Sequence, residues 1–451
     1  MAISLEVPRP MSMSMRGRAP VWVAVVATLL GLAVGYMIKQ QCAANVWADS
    51  FQYSHLCYND LQPLYGVRGI SHGLVPYRDV QLEYPVLTGL FMDLMGRLLH
   101  LLDEAGVMTA GDPDYFRLSS IFLAPFALIV TLVLRPFVTA KRLALWAIGT
   151  PTILYSFHNW DLIAVAFASI GLVALEQNRD GVAGGALAAG ASAKLFPAFL
   201  LPGALLSRWA KGDRKGAFGM AGAFFLIYLI VNLPVALLAR GAPRVLDRPD
   251  WPEIVGSVQL RETGTNGWLG VWLFHADRYP DFGTVWYWIA HHSQAMFPGH
   301  GDWWQPGQTG YLGFVSITSF ILFAVAAMFF LGVGWARRNE PQGYPVVAVG
   351  LGILASFLLF SKVHSPQFAL WLVPLLALLN VSWPRILFYL AADVAVFVSG
   401  FYWFTVFDVP DPGWKGVFEV AVLLRALALG LLAWSAVKAV RELPETRAAT
   451  A

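Results

Sequence analysis

Residues 21–38 read VWVAVVATLLGLAVGYMI, an apolar run without a charged side chain that approaches the ~20 residues a helix needs to cross a bilayer. Similar runs recur along the chain, in which 57% of the residues are hydrophobic, 13% are charged and the mean hydropathy is +0.58. A soluble protein of 451 residues would need more charged side chains to cover its surface. The composition therefore predicts an all-α polytopic membrane protein.

The first apolar run has two interpretations. Arg9, Arg16 and Arg18 precede it, as basic residues precede the apolar part of a secretory signal peptide. No clear cleavage site with small residues follows the run, and many more apolar runs lie downstream. We therefore expect an uncleaved signal-anchor helix, with cleavage as the alternative.

The positions of lysine and arginine predict the topology. They cluster in short segments between the apolar runs, and the positive-inside rule assigns such clusters to the cytoplasm. We therefore expect a cytoplasmic N-terminal segment over 1–20, one transmembrane domain over 21–438 with large external loops at 39–114 and 240–309, and a cytoplasmic tail over 439–451. About twelve spans are expected, at 21–38, 115–135, 143–157, 160–176, 181–195, 197–207, 217–239, 310–334, 344–360, 367–380, 384–404 and 416–438.

Several of the expected spans are too short to cross a bilayer as one helix. The consecutive runs at 181–195 and 197–207 predict a helical hairpin with Lys194 at its external tip, and their glycines would allow close helix packing. Short or broken helices in membrane proteins usually surround a cavity that water can enter. The sequence therefore predicts such a cavity inside the helical bundle.

The first external loop carries two further structural signals. Residues 83–102 read EYPVLTGLFMDLMGRLLHLL, and the polar interruptions of their apolar face predict a helix that lies on the membrane surface. The chain's two cysteines, Cys42 and Cys57, also lie in this loop. An oxidising compartment would permit a disulfide between them, and two unpaired thiols are the alternative.

Four polar residues near the expected cavity carry the strongest chemical signals. Asp60 follows the first span closely, and a carboxylate that faces a cavity could act as a general base towards a hydroxyl. Capping of a helix, or simple solvation as an acidic loop residue, is the alternative role for Asp60. Lys194 offers an ammonium to an anionic phosphate, unless it only extends to the membrane interface. Lys362 and His364 lie between two expected spans, where His364 could shuttle a proton or bind phosphate, or simply be satisfied within its loop.

The second external loop is rich in tryptophan and histidine. Its tryptophans suit anchoring at the membrane interface or stacking on sugar rings. No metal-binding spacing such as HExxH occurs there, so we expect no metal site. The sequence also lacks the glycine-rich loops that bind nucleotides, so we expect no nucleotide cofactor. We also expect no nucleic-acid partner.

The polar signals occur in an order that resembles a known group of enzymes. The motifs are Asn59-Asp60, Leu64-Tyr65, Pro76-Tyr77-Arg78-Asp79, Glu83-Tyr84-Pro85, Lys194-Leu195-Phe196-Pro197 and Ser365-Pro366-Gln367-Phe368. Their order between residues 20 and 380 looks like that of the GT-C membrane glycosyltransferases. Within these, the chain is most similar to family 87, whose characterised members are polyprenyl-phosphate-mannose mannosyltransferases and related arabinofuranosyltransferases.

The resemblance implies a GT-C-like helical bundle with external surface helices, a lipid-linked sugar donor that enters from the membrane, and a catalytic aspartate at Asp60. It implies that Lys194 and His364 lie near the donor phosphate, and Lys362 and Arg261 are further candidates for that role. The residues expected to bind the substrates are Tyr65, Tyr77, Arg78, Glu83, Tyr84, His158, Asp161 and Gln367. The segment from Glu83 to Val86 departs from the relatives, which commonly have a second proline there.

We therefore expect transfer of a sugar, with mannose the first candidate, from a polyprenyl-phosphate donor to a lipid or glycan acceptor. The reaction would take place on the external face of the plasma membrane, among membrane lipids, with inversion at the anomeric carbon. Arabinofuranose is the alternative sugar. A transporter or flippase is a second class of function, supported by Asp393 and Glu419 in late expected spans. A non-catalytic membrane component would tolerate loss of Asp60, whereas an enzyme would not.

Overall fold

The computed structural model describes residues 17–45, 47–239, 266–292, 309–407, 409 and 413–441. Within these ranges the regular secondary structure is helical, and the only β-pairing is two isolated bridges. The α-helices, numbered along the chain, are α1 (Val21–Ala44), α2 (Phe51–Ser54), α3 (Leu61–Val67), α4 (Val86–Glu104), α5 (Asp112–Leu134), α6 (Ala140–Ala147), α7 (Thr150–Tyr155), α8 (Asp161–Glu176), α9 (Asp180–Ala193), α10 (Leu201–Ala210), α11 (Arg214–Leu238), α12 (Gly267–Asp277), α13 (Val285–His291), α14 (Thr309–Ala336), α15 (Val346–Phe360), α16 (Ala369–Leu378), α17 (Trp383–Thr405) and α18 (Gly413–Ala436).

Six of the described helices are long and apolar enough to cross a membrane. They are α1, α5 with the 3₁₀ turn that follows it (Asp112–Phe137), α11, α14, α17 and α18. The described chain is therefore all-α and carries several helices of membrane-spanning character, as predicted. The count of six in the described ranges is below the expected twelve.

Most of the other expected spans correspond to shorter helices inside the bundle. α8, α15 and α16 have 16, 15 and 10 residues, and every residue of α16 is buried. A helix that is surrounded by protein rather than lipid does not need the full length of a bilayer span. The number of crossings therefore stays a prediction, and the short helices form the interior against which the long ones pack.

The expected span at 143–157 is wrong as a continuous helix, because α6 ends and α7 begins on either side of Gly149. A Cβ atom at Gly149 would lie 2.0 Å from the carbonyl oxygen of Leu145, so this turn requires glycine. Pro151, in the first turn of α7, favours the start of a new helix. Apolar composition alone does not predict such a break between two helices.

Lys194 lies between α9 and a 3₁₀ helix (Phe196–Leu200) that leads into α10. α9 packs tightly on α11 because Gly184 allows a close approach; a Cβ atom there would lie 2.1 Å from the carbonyl oxygen of Met220. α10 also packs on α11, and the 3₁₀ helix separates it from α9. The two predicted short helices are therefore present, but α11 holds them together in place of a simple hairpin.

α4 has the two-faced pattern of the predicted surface helix. Met95 and Leu99 are buried against the bundle, where α4 packs on α5 and α9. Leu90 and Leu94, on the other side, are 46% and 59% exposed. An exposed leucine stripe on an amphipathic helix suits contact with lipid. The placement of α4 at the membrane surface stays a prediction.

A disulfide joins Cys42 near the end of α1 to Cys57 in the loop that follows. The pairing that the sequence left open is therefore confirmed. The Gln62 side-chain amide also donates to the carbonyl oxygen of Cys42 at 3.3 Å, which ties α3 to the same part of α1. The short segment that carries Asp60 is thus fastened to α1 on both sides.

Replacing Cys42 and Cys57 together by serine is expected to lower the free energy of unfolding by about 3 kcal/mol, because the bond closes a loop with a sequence separation of 15. Thermal unfolding of the detergent-purified protein measures the effect. A reductant should shift the wild type by a similar amount and leave the double variant unchanged. Equal stability of reduced wild type, oxidised wild type and variant would contradict this expectation.

Candidate active site

A cavity of about 1090 Å³ lies between the loop after α1, helix α12, the segment between α15 and α16, and helix α17. Eight of the predicted site residues line it, namely Asp60, Glu83, Tyr84, His158, Lys194, Lys362, His364 and Gln367. Another part of its wall is aromatic, with Phe282, Phe320, Phe323, Phe357, Phe397, Phe401, Phe404, Phe407 and Phe418. One cavity therefore combines ionisable groups with a large apolar surface.

Asp60 stands immediately before α3, but its side chain makes no capping hydrogen bond to that helix. Instead, the side-chain oxygen of Asn59 accepts from the backbone amide of Gln62 at 3.0 Å. The Asp60 carboxylate accepts from the Tyr58 hydroxyl at 3.0 Å and from the Asn159 amide at 2.6 Å. The capping interpretation of Asp60 is therefore wrong, and its carboxylate is held in place on the cavity wall.

Asn159 links Asp60 to Lys194. Its side-chain nitrogen donates to Asp60 Oδ2 and, at 2.8 Å, to the hydroxyl of Tyr84. Its side-chain oxygen accepts from the backbone amide of Trp160 at 2.6 Å and from Lys194 Nζ at 3.4 Å. Because these four contacts use both sides of a buried amide, they fix its orientation. Asn159 was not predicted, since an amide beside His158 gives no signal of its own in the sequence.

Lys194 is held between a carboxylate and two aromatic rings. Its Nζ donates to Asp161 Oδ2 at 2.9 Å and lies 4.9 Å from the ring centre of Tyr84 and 5.5 Å from that of Phe368. Asp161 is fully buried, and its other oxygen accepts from Trp371 Nε1 at 2.6 Å. Lys194 therefore presents a fixed cation to the cavity instead of extending freely to a membrane interface.

Lys39, near the end of α1, contacts the segment that carries Asp60. Its Nζ donates to the carbonyl oxygen of Tyr58 at 2.7 Å and lies 3.2 Å from His158 Nδ1. The backbone amide of Asp60 in turn donates to the carbonyl oxygen of His158 at 2.8 Å. Lys39 was not predicted, because the apolar run that predicts α1 ends just before it.

The protonation of Asp60 and His158 follows from burial and nearby charges. Burial raises the pKa of the Asp60 carboxyl above its usual value, while hydrogen bonds from Asn159 and Tyr58 and the charge of Lys194 oppose that shift. Burial, together with the charges of Lys39 and Lys194, lowers the pKa of His158 well below its usual value. Asp60 is thus the group here that is suited to take up a proton, while His158 stays neutral.

Replacing Tyr58 by phenylalanine is expected to move the acidic limb of the pH–rate profile to higher pH. The Tyr58 hydroxyl stabilises the ionised form of Asp60, so its removal raises the Asp60 pKa further, and a larger share of the carboxyl is protonated at a given acidic pH. The measurement is kcat/KM against pH for the sugar transfer that the sequence resemblance leads us to expect. Tyr53→Phe is the matched control, because the Tyr53 ring stacks on Tyr58 without a hydrogen bond from its hydroxyl to Asp60. A shift to lower pH, or equal shifts in both variants, would contradict the assignment.

The segment before α13 contributes an arginine and an aspartate that the sequence did not single out. Arg278 donates to Asp281 Oδ1 at 2.9 Å, and Asp281 Oδ2 accepts from the backbone amide of His364 at 3.2 Å. The Arg278 side chain is 34% exposed and lines the cavity. Lys362 Nζ is bound to the carbonyl oxygen of Ala276 and to the hydroxyl of Ser316. Arg278 therefore adds a second accessible cation to the one at Lys194.

Four of the predicted substrate-binding residues do not line the cavity. Tyr65 stacks on Tyr115 with ring centres 4.3 Å apart, Arg78 pairs with Asp79, and Asp161 lies behind Lys194. The Tyr77 hydroxyl is 2.9 Å from the carbonyl oxygens of both Tyr84 and Pro85. These side chains make contacts within the protein, and the Tyr77 hydroxyl shapes the segment that follows Glu83. Arg261 lies outside the described residues.

A scan of the chain against models of known protein families finds no match, and no curated protein matches it. The arrangement of groups in the cavity is therefore the basis for inferring a function. That arrangement is a hydrogen-bonded carboxylate able to accept a proton, at least two cations able to face an anion, and an aromatic surface for an apolar ligand.

Proposed function

We propose that this chain is a GT-C-type membrane glycosyltransferase, similar to family 87, that moves a sugar from a polyprenyl-phosphate donor to a hydroxyl of a lipid or glycan acceptor. Mannose is the expected sugar, and the external face of the plasma membrane is the expected location, within a bundle of about twelve crossings. The observation that carries the proposal is the connection of Asp60 to Lys194 through Asn159 on the wall of one large, partly aromatic cavity.

The aromatic part of the cavity supports a lipid-linked donor. Phe320 lines the cavity and is also 70% exposed, so this part of the wall reaches the outer surface of α14. Only 17% of the apolar window of α14 is buried, which suits a helix that faces lipid. A prenyl chain could therefore stay in contact with apolar groups while its phosphate lies among the cations.

The positions of the polar groups support a single-displacement reaction. Asp60 accepts the proton of the acceptor hydroxyl while that oxygen forms a bond to the anomeric carbon, and the bond from this carbon to the donor phosphate oxygen breaks. The leaving group is polyprenyl phosphate, and the proton passes from Asp60 to solvent. Attack opposite to the leaving group inverts the anomeric centre.

The charge that grows on the departing phosphate needs fixed cations near it. Lys194 is held by Asp161 and Asn159 and therefore needs little rearrangement to act on that charge. Arg278 has a guanidinium that is only partly used by Asp281, and this geometry suits phosphate oxygens. Arg278 is a candidate for this role in addition to Arg261, which lies outside the described residues.

The transporter alternative receives less support from the late helices. Asp393 pairs with Arg425 and accepts from the Tyr155 hydroxyl at 2.8 Å, and Glu419 lies 2.7 Å from His292. A carboxylate engaged in such fixed contacts is a poor site for a transported ion. Arabinofuranose stays the alternative sugar, since the same groups would serve either donor.

The test is sugar transfer by the purified protein in lipid. Radiolabelled polyprenyl-phosphate mannose and a membrane-lipid extract as acceptor should yield labelled acceptor together with free polyprenyl phosphate in equal amounts. Parallel reactions use the corresponding arabinofuranose donor. Absence of transfer from both donors would contradict the proposal, and movement of intact donor across a sealed vesicle membrane would favour a flippase.

A further inference from the structure

The wall segment between α15 and α16 presents two polar atoms without a partner. His364 and Gln367 both line the cavity and are only 4% and 3% exposed. Among the described residues, neither His364 Nε2 nor Gln367 Oε1 has a hydrogen-bond partner. Buried polar atoms in folded proteins are nearly always hydrogen-bonded, and each exception needs an explanation. A ligand in the cavity that supplies hydrogen-bond donors is such an explanation.

The hydrogen bond on the other side of the imidazole fixes the tautomer of His364. Its Nδ1 lies 3.1 Å from the carbonyl oxygen of Leu358. A carbonyl oxygen can only accept, so the proton of the neutral ring is on Nδ1 and Nε2 carries a lone pair. Burial and the charge of Arg425 lower the pKa of His364 well below its usual value, which keeps the ring neutral. Nε2 therefore accepts hydrogen bonds.

The surroundings hold the imidazole of His364 in a defined position. The backbone amide of His364 donates to Asp281, and the imidazole is stacked on Phe368 with ring centres 6.2 Å apart. Phe368 is itself stacked on Trp371 at 4.0 Å. Gln367 precedes Phe368 in the 3₁₀ turn Pro366–Phe368, and its side chain is buried. Both polar atoms therefore belong to one buried segment of the wall.

The chemistry of these groups separates a sugar from a phosphate. A neutral imidazole nitrogen and an amide oxygen both attract hydroxyl groups, which donate hydrogen bonds. The ionised oxygens of a phosphate ester only accept, so they gain nothing from such a wall and are better served by Lys194 and Arg278. The expectation that His364 binds the donor phosphate therefore disagrees with the hydrogen bonds of its ring.

We propose that His364 and Gln367 form the subsite for the hydroxyl groups of the transferred sugar, while Lys194 and Arg278 face the phosphate. This inference rests on the proposed function, since it assigns the parts of the donor within the same cavity. It makes the segment between α15 and α16 the determinant of which sugar is accepted.

The test compares binding of two lipids to the full-length protein in nanodiscs without acceptor, so that no transfer occurs. The probes are polyprenyl-phosphate mannose and polyprenyl phosphate with the same chain. His364→Asn keeps a donor near the position of Nδ1 and removes Nε2, and Gln367→Leu removes the amide. Each is expected to weaken binding of the mannose lipid by about fivefold or more, as for one lost neutral hydrogen bond, and to leave binding of polyprenyl phosphate unchanged.

Two matched variants complete the design. His364→Gln places an amide near the position of Nε2 and should retain most of the affinity for the mannose lipid. Lys194→Met should weaken both lipids, because they share the phosphate. Without ligand, Gln367→Leu should unfold close to the temperature of the wild type, because the buried Oε1 that it removes has no partner among the described residues.

Equal losses for the two lipids, no loss in either variant, or a wild type that does not prefer the mannose lipid would overturn the proposed subsite. Failure of transfer alongside a loss confined to the mannose lipid would overturn the proposed reaction and leave the subsite standing. Transfer by a protein whose variants bind both lipids as well as the wild type would overturn the subsite alone.

Discussion

Replacing Asp60 by asparagine is expected to reduce sugar transfer by about 10²- to 10⁴-fold, the usual contribution of a general base. The amide cannot take the proton of the acceptor hydroxyl. It can still accept from Asn159 and donate to the hydroxyl oxygen of Tyr58, so the hydrogen-bonded arrangement around it should survive. The measurement is the single-turnover rate with saturating donor and acceptor, together with the affinity for the donor.

The loss should appear in the rate and not in donor binding, because Asp60 acts on the acceptor oxygen. Asp93→Asn is a suitable control, since Asp93 lies on α4 outside the cavity and pairs with Arg97 at 2.8 Å. It changes the same functional groups without touching the site and should transfer sugar like the wild type. Transfer by Asp60→Asn at the wild-type rate would remove Asp60 from the mechanism and favour a non-catalytic or transport role.

Composition and order of motifs were enough to predict the class of fold and eight of the residues that line the cavity. Asp60, Lys194 and His364 are more than a hundred residues apart in sequence, yet all three line one cavity, as expected from their placement at the external ends of different apolar runs. The disulfide was one of the two outcomes considered from the sequence, because both cysteines lie in one expected external loop.

The hydrogen-bond partners of these groups could not be predicted from the sequence, because tertiary packing determines them. Asn159 and Lys39 hold the Asp60 segment through contacts that join residues 99 and 19 positions apart. Nothing in the periodicity of an apolar run indicates which carbonyl a lysine at its end will meet. Tyr65 and Tyr77 were selected as substrate-binding for their motifs, but the fold turns both into structural contacts. Sequence patterns thus indicate which residues carry chemistry better than they indicate which of them face a ligand.

Replacing Lys194 by methionine is expected to lower both transfer and stability, for two separate reasons. Transfer falls because the cation that faces the leaving phosphate is lost. Stability falls because the fully buried carboxylate of Asp161 loses its ion-pair partner and, among the described residues, is left with the hydrogen bond from Trp371. Removing one member of a buried pair typically costs about 3–5 kcal/mol. Thermal unfolding and transfer rate, measured on the same preparation, record the two effects.

The double variant Lys194→Met with Asp161→Asn separates the two effects. Asparagine carries no charge that would be left unpaired, and its side-chain oxygen can still accept from Trp371. The unfolding temperature should therefore recover most of the way to that of the wild type. The cation is still missing, so transfer should stay low. If the double variant recovered transfer along with stability, Lys194 would be a structural counterion of Asp161, and the leaving phosphate would depend on Arg278 instead. Low transfer at restored stability would assign Lys194 to the reaction.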